Sequence, residues 1–214
     1  MTKSIPRNEA RQAIVERALE HLALRGPANV HPKEICEELS LSKALVNYHF
    51  GGRDGLIAEA MVAGYGRYVD TLWSAAEAAG ADPLKRLIAW VDKQIDWTIE
   101  NPGLAAALNF PYMSSGMPAE MLEGSIQQLN EAGARNFANL QRLVAAAKTA
   151  LNTTGKPPSA TEVGLDAAFI GWVTLGASVW RAGNHLPTQR IDGRDNFPMA
   201  RKHVHAQILA ALKR

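Results

Sequence analysis

Apolar residues recur every three or four positions through almost the whole chain, and nowhere do they alternate with polar ones over a useful length. That is the period of one face of an α-helix, not of a half-buried strand, so the sequence reads as all-α. Ile14, Val15, Ala18 and Leu22 form the first stripe, on a helix expected from about Glu9 to Leu24. Arg25-Gly26-Pro27 closes it, because Gly is a favoured C-terminal cap and Pro cannot continue a helix. Pro32 suits a first helical position and opens a short helix with Ile35, Cys36 and Leu39 facing inward. Ser40-Leu41-Ser42 leaves room only for a tight turn, in which Leu41 points inward and Ser42 can cap a third helix running to Phe50. Val46 and Phe50 share the inner face of that helix, while Ala44, Leu45 and Tyr48 point the other way. Gly51-Gly52 ends it, and Asp54 is placed to cap a fourth.

The fourth helix is expected to run to about Ala79, with Ile57, Met61, Gly64, Tyr68 and Leu72 at helical spacing. After Gly80 and Asp82-Pro83, a fifth carries Leu84, Leu87, Ile88, Val91, Ile95 and Ile99 and stops at Asn101-Pro102-Gly103. Trp90 and Trp97 lie off that stripe, which predicts burial on two sides. Leu104–Met117 reads as irregular, since Pro111, Ser114, Ser115 and Gly116 interrupt a greasy segment. A long helix from Pro118 has Leu122, Ile126, Leu129, Gly133, Phe137, Leu140, Val144 and Ala147 as its stripe. Asn152–Ser159 is a loop, a helix follows from about Thr161 to Gly183, and a polar loop over Asn184–Asn196 precedes a last helix with Ala200, Val204, Ile208 and Leu212.

Composition adds mostly exclusions. A chain of 214 residues can bury a core without staples, and the single cysteine, Cys36, forms no internal bridge. No apolar run follows a basic start within the first thirty residues, so a reducing cytoplasm is the expectation. The longest apolar run, Ala167–Trp180, is 14 residues and interrupted by small and polar ones, too short for a membrane span. A net charge of +2 gives little pull towards a polyanion, so a nucleic-acid reading rests on local placement.

Enzyme chemistry finds no footing. Glu-x-x-His and His-Glu-x-x-His patterns are absent, and Gly176-Ala177-Ser178-Val179-Trp180 ends in Trp where a nucleophile elbow needs Gly. Gly64-Tyr65-Gly66 sits inside a helix with no strand before it. His203 and His205 fall on nearly opposite helix sides. No cofactor or metal is expected, and the chain is read as no enzyme.

Two short helices joined by so brief a turn make a helix-turn-helix. Residues 11–57 further resemble the DNA-binding domain of the TetR family of bacterial transcriptional regulators. The resemblance is carried by the helix end at Gly26, Glu34-Ile35-Cys36, Leu41-Ser42-Lys43, Asn47-Tyr48-His49-Phe50, Gly51-Gly52 and Arg53-Asp54-Gly55-Leu56. Three departures stand out: Ser40 replaces the usual turn Gly, Leu45 a common Thr, and Asn47 a frequent Tyr. The resemblance implies a DNA-binding domain over residues 1–54 and a larger helical effector-binding and dimerisation domain over 55–214. It implies a homodimer on double-stranded operator DNA, with recognition helices in successive major grooves about 34 to 36 Å apart.

On chemical grounds Lys43 suits guanine and Asn47 adenine, each good pair contributing roughly 1–3 kcal/mol of discrimination. Tyr48, His49, Ser42, Lys33 and Arg53 suit phosphates, which position without reading sequence. Leu45 and Asn47 are where the sequence preference of this chain is expected to lie. Gly171, Thr174, Ser178 and Ala182 form a small-residue ridge, which points to a dimer through the last two helices or to an internal helix contact. For a mainly apolar small-molecule effector, the expected lining is Trp90, Trp97, Phe110, Tyr112, Met113, Met117, Met121, Phe137, Phe169 and Trp172. The function expected is a repressor that this effector releases from its operator; a regulator with no effector is the alternative.

Overall fold

The structure is a computed structural model, and it describes residues 7–109, 116, 123–152, 155–182, 190–191, 194–195 and 197–214. Among these residues the helices are α1 (Arg7–Arg25), α2 (Pro32–Glu38), α3 (Ala44–Phe50), α4 (Arg53–Ala78), α5 (Pro83–Glu100), α6 (Pro102–Asn109), α7 (Glu123–Leu151), α8 (Ala160–Ala182) and α9 (Phe197–Leu212). A 3-10 turn over Pro27–Asn29 separates α1 from α2. The all-α reading holds, with one addition in the expected polar loop: β1 (Arg190–Ile191) and β2 (Arg194–Asp195) pair antiparallel, two residues each. No helix among the described residues is long and apolar enough to cross a membrane.

The segment around Leu104 corrects the sequence reading. Pro102–Asn109 is helical, because Pro102 stands at a first-turn position where its missing N–H costs nothing and Leu104–Ala107 are strong helix formers. Asn109 Nδ2 donates back to the Ala105 carbonyl at 2.9 Å. Phe110–Ser115 and Met117 lie outside the described residues, as do residues 118–122 at the expected start of α7.

Two compact units are distinguished. The first comprises residues 1–67 and 100–132, the second residues 68–99 and 133–214. They cut the chain elsewhere than at residue 54, because α4 contributes to the first unit as far as Arg67 and α6 joins it by packing on α1. A β-carbon on Gly103 would stand 2.3 Å from Gly26 N and 2.4 Å from Leu22 O, so only glycine permits that approach. The first unit's core takes Ile14, Ala18 and Leu22 from α1, Ile35 and Cys36 from α2, Val46 and Phe50 from α3, Leu56, Ile57 and Met61 from α4, and Leu104 from α6.

The second unit has its own core. Leu72, Leu87, Val91, Ile95, Leu140, Val144, Ala167, Ile170, Val204 and Ile208 meet in it, from α4, α5, α7, α8 and α9. Helix α5 is buried on two sides as its sequence predicts, with Trp90 and Trp97 both inside. Asp82 caps it, its Oδ1 accepting the Leu84 N–H at 2.8 Å and the Lys85 N–H at 3.3 Å. The small-residue ridge on α8 does not stand as one open face. Thr174 is fully buried and its hydroxyl donates to the Ile170 carbonyl at 2.8 Å, so it belongs to the interior.

Candidate nucleic-acid interface and ligand cavity

Backbone closure shapes the helix-turn-helix before any side chain acts. At the end of α2 the Leu41 N–H donates to the Cys36 carbonyl at 2.8 Å and the Ser40 N–H to the Glu37 carbonyl at 3.1 Å. This pair of bonds is a Schellman closure, and it puts Ser40 in the left-handed region at φ 55°. The third helix begins at Ala44, one residue later than a cap at Ser42 would place it. Ser42 still serves it, since its carbonyl accepts the Leu45 N–H and its hydroxyl oxygen the Ala44 N–H at 3.3 Å. Gly51, at φ 71°, ends α3 by donating to the Asn47 carbonyl.

Helix α3 is anchored by Val46 and Phe50, and the Arg11 guanidinium lies 5.4 Å from the Phe50 ring centre. Its outer face presents Lys43, Ala44, Asn47 and Tyr48 to solvent, with Tyr48 64% exposed. Leu45 and His49 are half-buried at the edges. His49 stands edge-on to Tyr48, ring centres 4.9 Å apart, and its Nε2 is buried without a hydrogen-bond partner among the described residues. Lys33 is exposed on α2 and pairs with Glu37 at 3.8 Å. Cys36 is buried, and burial pushes its thiol above the ordinary range against a smaller opposing pull from Lys43, so it stays a protonated core group.

Arg53 is placed differently from a phosphate-facing side chain. Its Nε donates to the Val30 carbonyl at 3.0 Å, its Nη2 to the Pro27 carbonyl, and its Nη1 lies 3.4 Å from Asp54. The guanidinium thus ties the first turn of α4 to the two ends of the 3-10 turn that leads into α2. Asp54 sits within that first helical turn, with the Gly52 carbonyl taking the opening bond from Leu56, so its carboxylate complements the helix dipole instead of capping.

A cavity of about 290 Å³ opens in the second unit. Trp90, Phe137 and Trp172, all expected at an effector site, meet there beside Asn136, Leu140 and Gly171. Gly133, Ala167 and Ala168 complete the lining, and these small residues facing large rings are what leaves the space. Trp97 packs instead on Tyr68, ring centres 4.6 Å apart, and Phe169 packs on the core. Phe110, Tyr112, Met113, Met117 and Met121 lie outside the described residues. Among the described residues no group of three or more His, Cys, Asp or Glu side chains is placed to hold a metal ion.

Residues 14–60 match the profile of the bacterial regulatory proteins, tetR family. This helix-turn-helix is a TetR-family one. No curated protein matches the chain. Solved structures share the fold of this chain along nearly its whole length. A putative transcriptional regulator from Saccharomonospora viridis in complex with choline aligns with a TM-score of 0.72 at 19% identity, covering 94% of this chain and 96% of that one. A putative TetR-family transcriptional regulator from Rhodococcus sp. gives 0.63 at 19% identity, covering 96% and 99%. The transcriptional regulator FadR from Bacillus subtilis in complex with stearoyl-CoA gives 0.64 at 12% identity, covering 94% and 98%. At such identities the likeness is one of fold.

Within the TetR-type segment, sequence patterns left two structural roles unseen. Gly55 has no signal in the sequence beyond being a glycine, yet the α3–α4 junction depends on it. The hydrogen bonds of Arg53 join residues 23 and 26 positions apart, a separation no local pattern reports.

Proposed function

We propose that this chain is a sequence-specific DNA-binding transcriptional regulator, a repressor released from its operator by a mainly apolar small molecule. The carrying observation is the outer face of α3. Lys43, Asn47 and Tyr48 stand exposed on a helix whose other side is sealed by Val46 and Phe50, inside the segment that matches the TetR family. Such a helix offers a bidentate amide and a cation to base edges in a major groove. Residues 1–60 hold three Lys and five Arg against eight Asp and Glu, a net of 8 − 8 = 0, so this affinity depends on placement more than on bulk charge.

The cavity supports the effector half of the reading, being walled mainly by rings and aliphatic groups. The complexes of two fold neighbours with choline and stearoyl-CoA agree with a small-molecule role for such a helical body. Release follows when the ligand favours a conformation in which the two recognition helices no longer fit successive grooves, since equal binding to both states shifts nothing. For the homodimer we favour the faces of α8 and α9 that carry Leu165, Trp172 and Met199, which are 65%, 73% and 59% exposed in the single chain.

The deciding experiment is selection of bound DNA from random sequence, followed by operator titrations with a panel of apolar compounds. A repressor of this kind enriches one motif with two related half-sites, and at least one compound that binds also lowers operator affinity. Recovery of unenriched DNA, or a monomer in light scattering, overturns the proposal.

A further inference from the structure

The outermost line of α3 is not its polar one. With about 100° between successive residues, the direction opposite the buried pair Val46 and Phe50 falls on Tyr48, with Ala44 about 40° to one side. Both are exposed, Tyr48 at 64%. Lys43 and Asn47 stand further round on one flank, Leu45 and His49 on the other, and these last two are half-buried. His49 braces the Tyr48 ring from the side, edge-on with ring centres 4.9 Å apart. Ala44 opens the helix, its N–H held by the Ser42 hydroxyl oxygen at 3.3 Å. The first turn is where a recognition helix meets base edges.

A helix lying in a major groove turns its outermost line to the groove floor and its flanks to the phosphate walls. At the floor the Ala44 methyl neither donates nor accepts. A polar base edge pressed against it loses water and gains no partner. The C5-methyl of thymine, the apolar group that base pairs present in this groove, gains from the same contact. We infer that Ala44 and the Tyr48 ring read a thymine in each half-site of the operator by its C5-methyl group, beside the base that Asn47 meets. The assignment rests on the reading of α3 as the DNA-contacting helix. It gives Tyr48 a base-reading role in place of the phosphate contact that its hydroxyl suggests.

The operator recovered by selection supplies the test. Deoxyuridine in place of thymidine removes the methyl group and leaves the hydrogen-bonding edge unchanged. In titrations of the full-length protein, one such replacement in each half-site is expected to weaken binding about fourfold per half-site, the worth of one buried methyl group. In Ala44→Gly and in Tyr48→Ala the same ratio is expected to fall to within about twofold, because part of the surface that covers the methyl is gone. Each variant is compared with itself on two DNAs, so a general loss of affinity cancels. A second measurement needs no variant: 5-iododeoxyuridine puts iodine where the methyl stood, and irradiation is expected to cross-link that base to the tryptic peptide Ala44–Arg53 at Tyr48. A motif without thymine, uracil operators bound as tightly as thymine ones, an undiminished ratio in both variants, or a cross-link to another peptide overturns the assignment while leaving the DNA-binding reading intact. If selection enriches no motif, that reading and the assignment fall together.

Discussion

Gly55 backs directly onto the carbonyl oxygen of Phe50: a β-carbon built on Gly55 would stand 1.9 Å from that oxygen and 3.0 Å from the carbonyl carbon. No side chain can relieve this overlap by rotating, because both partners are backbone. Either α3 moves or α4 does. Gly55→Ala is expected to destabilise the protein by about 2 kcal/mol, in the range of overpacked cores. It is also expected to weaken operator binding, since the shift falls between the recognition helix and the helix that follows it. Urea unfolding and an operator titration check both; a variant of native stability would show that the junction yields freely.

The two carbonyls held by Arg53 define a second expectation. Arg53→Ala removes charge-assisted bonds to Val30 and Pro27, a loss on the order of 2 kcal/mol in stability. If the side chain acts by holding the entry to α2, operator affinity falls while the slope of log K against log salt concentration stays as in the native protein. A direct phosphate contact instead makes the slope shallower by about 0.9 for each subunit of the bound dimer. Titrations across a salt series separate the two.

How far the sequence reached can be judged from such particulars. The helices of the first unit were legible because Gly26, Pro32 and Gly51 punctuate clean apolar stripes, and the exposed side of α3 follows from the spacing of Val46 and Phe50 alone. The tie between Arg53 and Val30 was not legible, because nothing local pairs an arginine with a distant carbonyl. Helix α6 was missed because the prolines and glycines flanking a short Ala-rich stretch outweigh it in any window reading. Of the expected cavity aromatics, Trp90, Phe137 and Trp172 do converge. Trp97 does not, since an aromatic on a helix buried on both sides can face either way.

Asn47 is where specificity is expected to reside. Its side chain is exposed on α3 while its carbonyl is already committed to Gly51, so Asn47→Ala leaves the helix end intact. The variant is expected to bind DNA with an unaltered salt slope but to lose roughly 1–3 kcal/mol of preference at one base position. Repeating the selection from random sequence measures this, and an unchanged motif would assign the reading to other residues.

Ser40 offers a gain of stability. It occupies the left-handed position of the α2 closure, where a β-carbon costs roughly 1 kcal/mol that glycine avoids. Ser40→Gly is therefore expected to raise stability by up to about 1 kcal/mol, less the added freedom of the unfolded chain, and Ser40→Val to lower it by more than that. Denaturant midpoints of the two variants should move in opposite directions; a shift of the same sign in both would mean that the serine hydroxyl matters more than its backbone angle.

In the second unit, the strongest dependence is expected at Lys148 and Asp166, which join α7 to α8. Their side chains are only 8% and 18% exposed, and the ammonium nitrogen lies 2.5 Å from the carboxylate oxygen. At this depth each charge is tolerated because the other is present, so removing one partner costs more than the pair is worth. Asp166→Leu leaves the lysine ammonium buried without its carboxylate and is expected to destabilise by about 3 kcal/mol, as is Lys148→Met, which strands the carboxylate. The double variant Lys148→Met, Asp166→Leu replaces both charges with apolar bulk and is expected to recover most of the loss. A double-mutant cycle in urea tests this directly. Additive losses in the double variant would show that solvent already reaches both groups and that the contact is a surface pair, worth well under 1 kcal/mol.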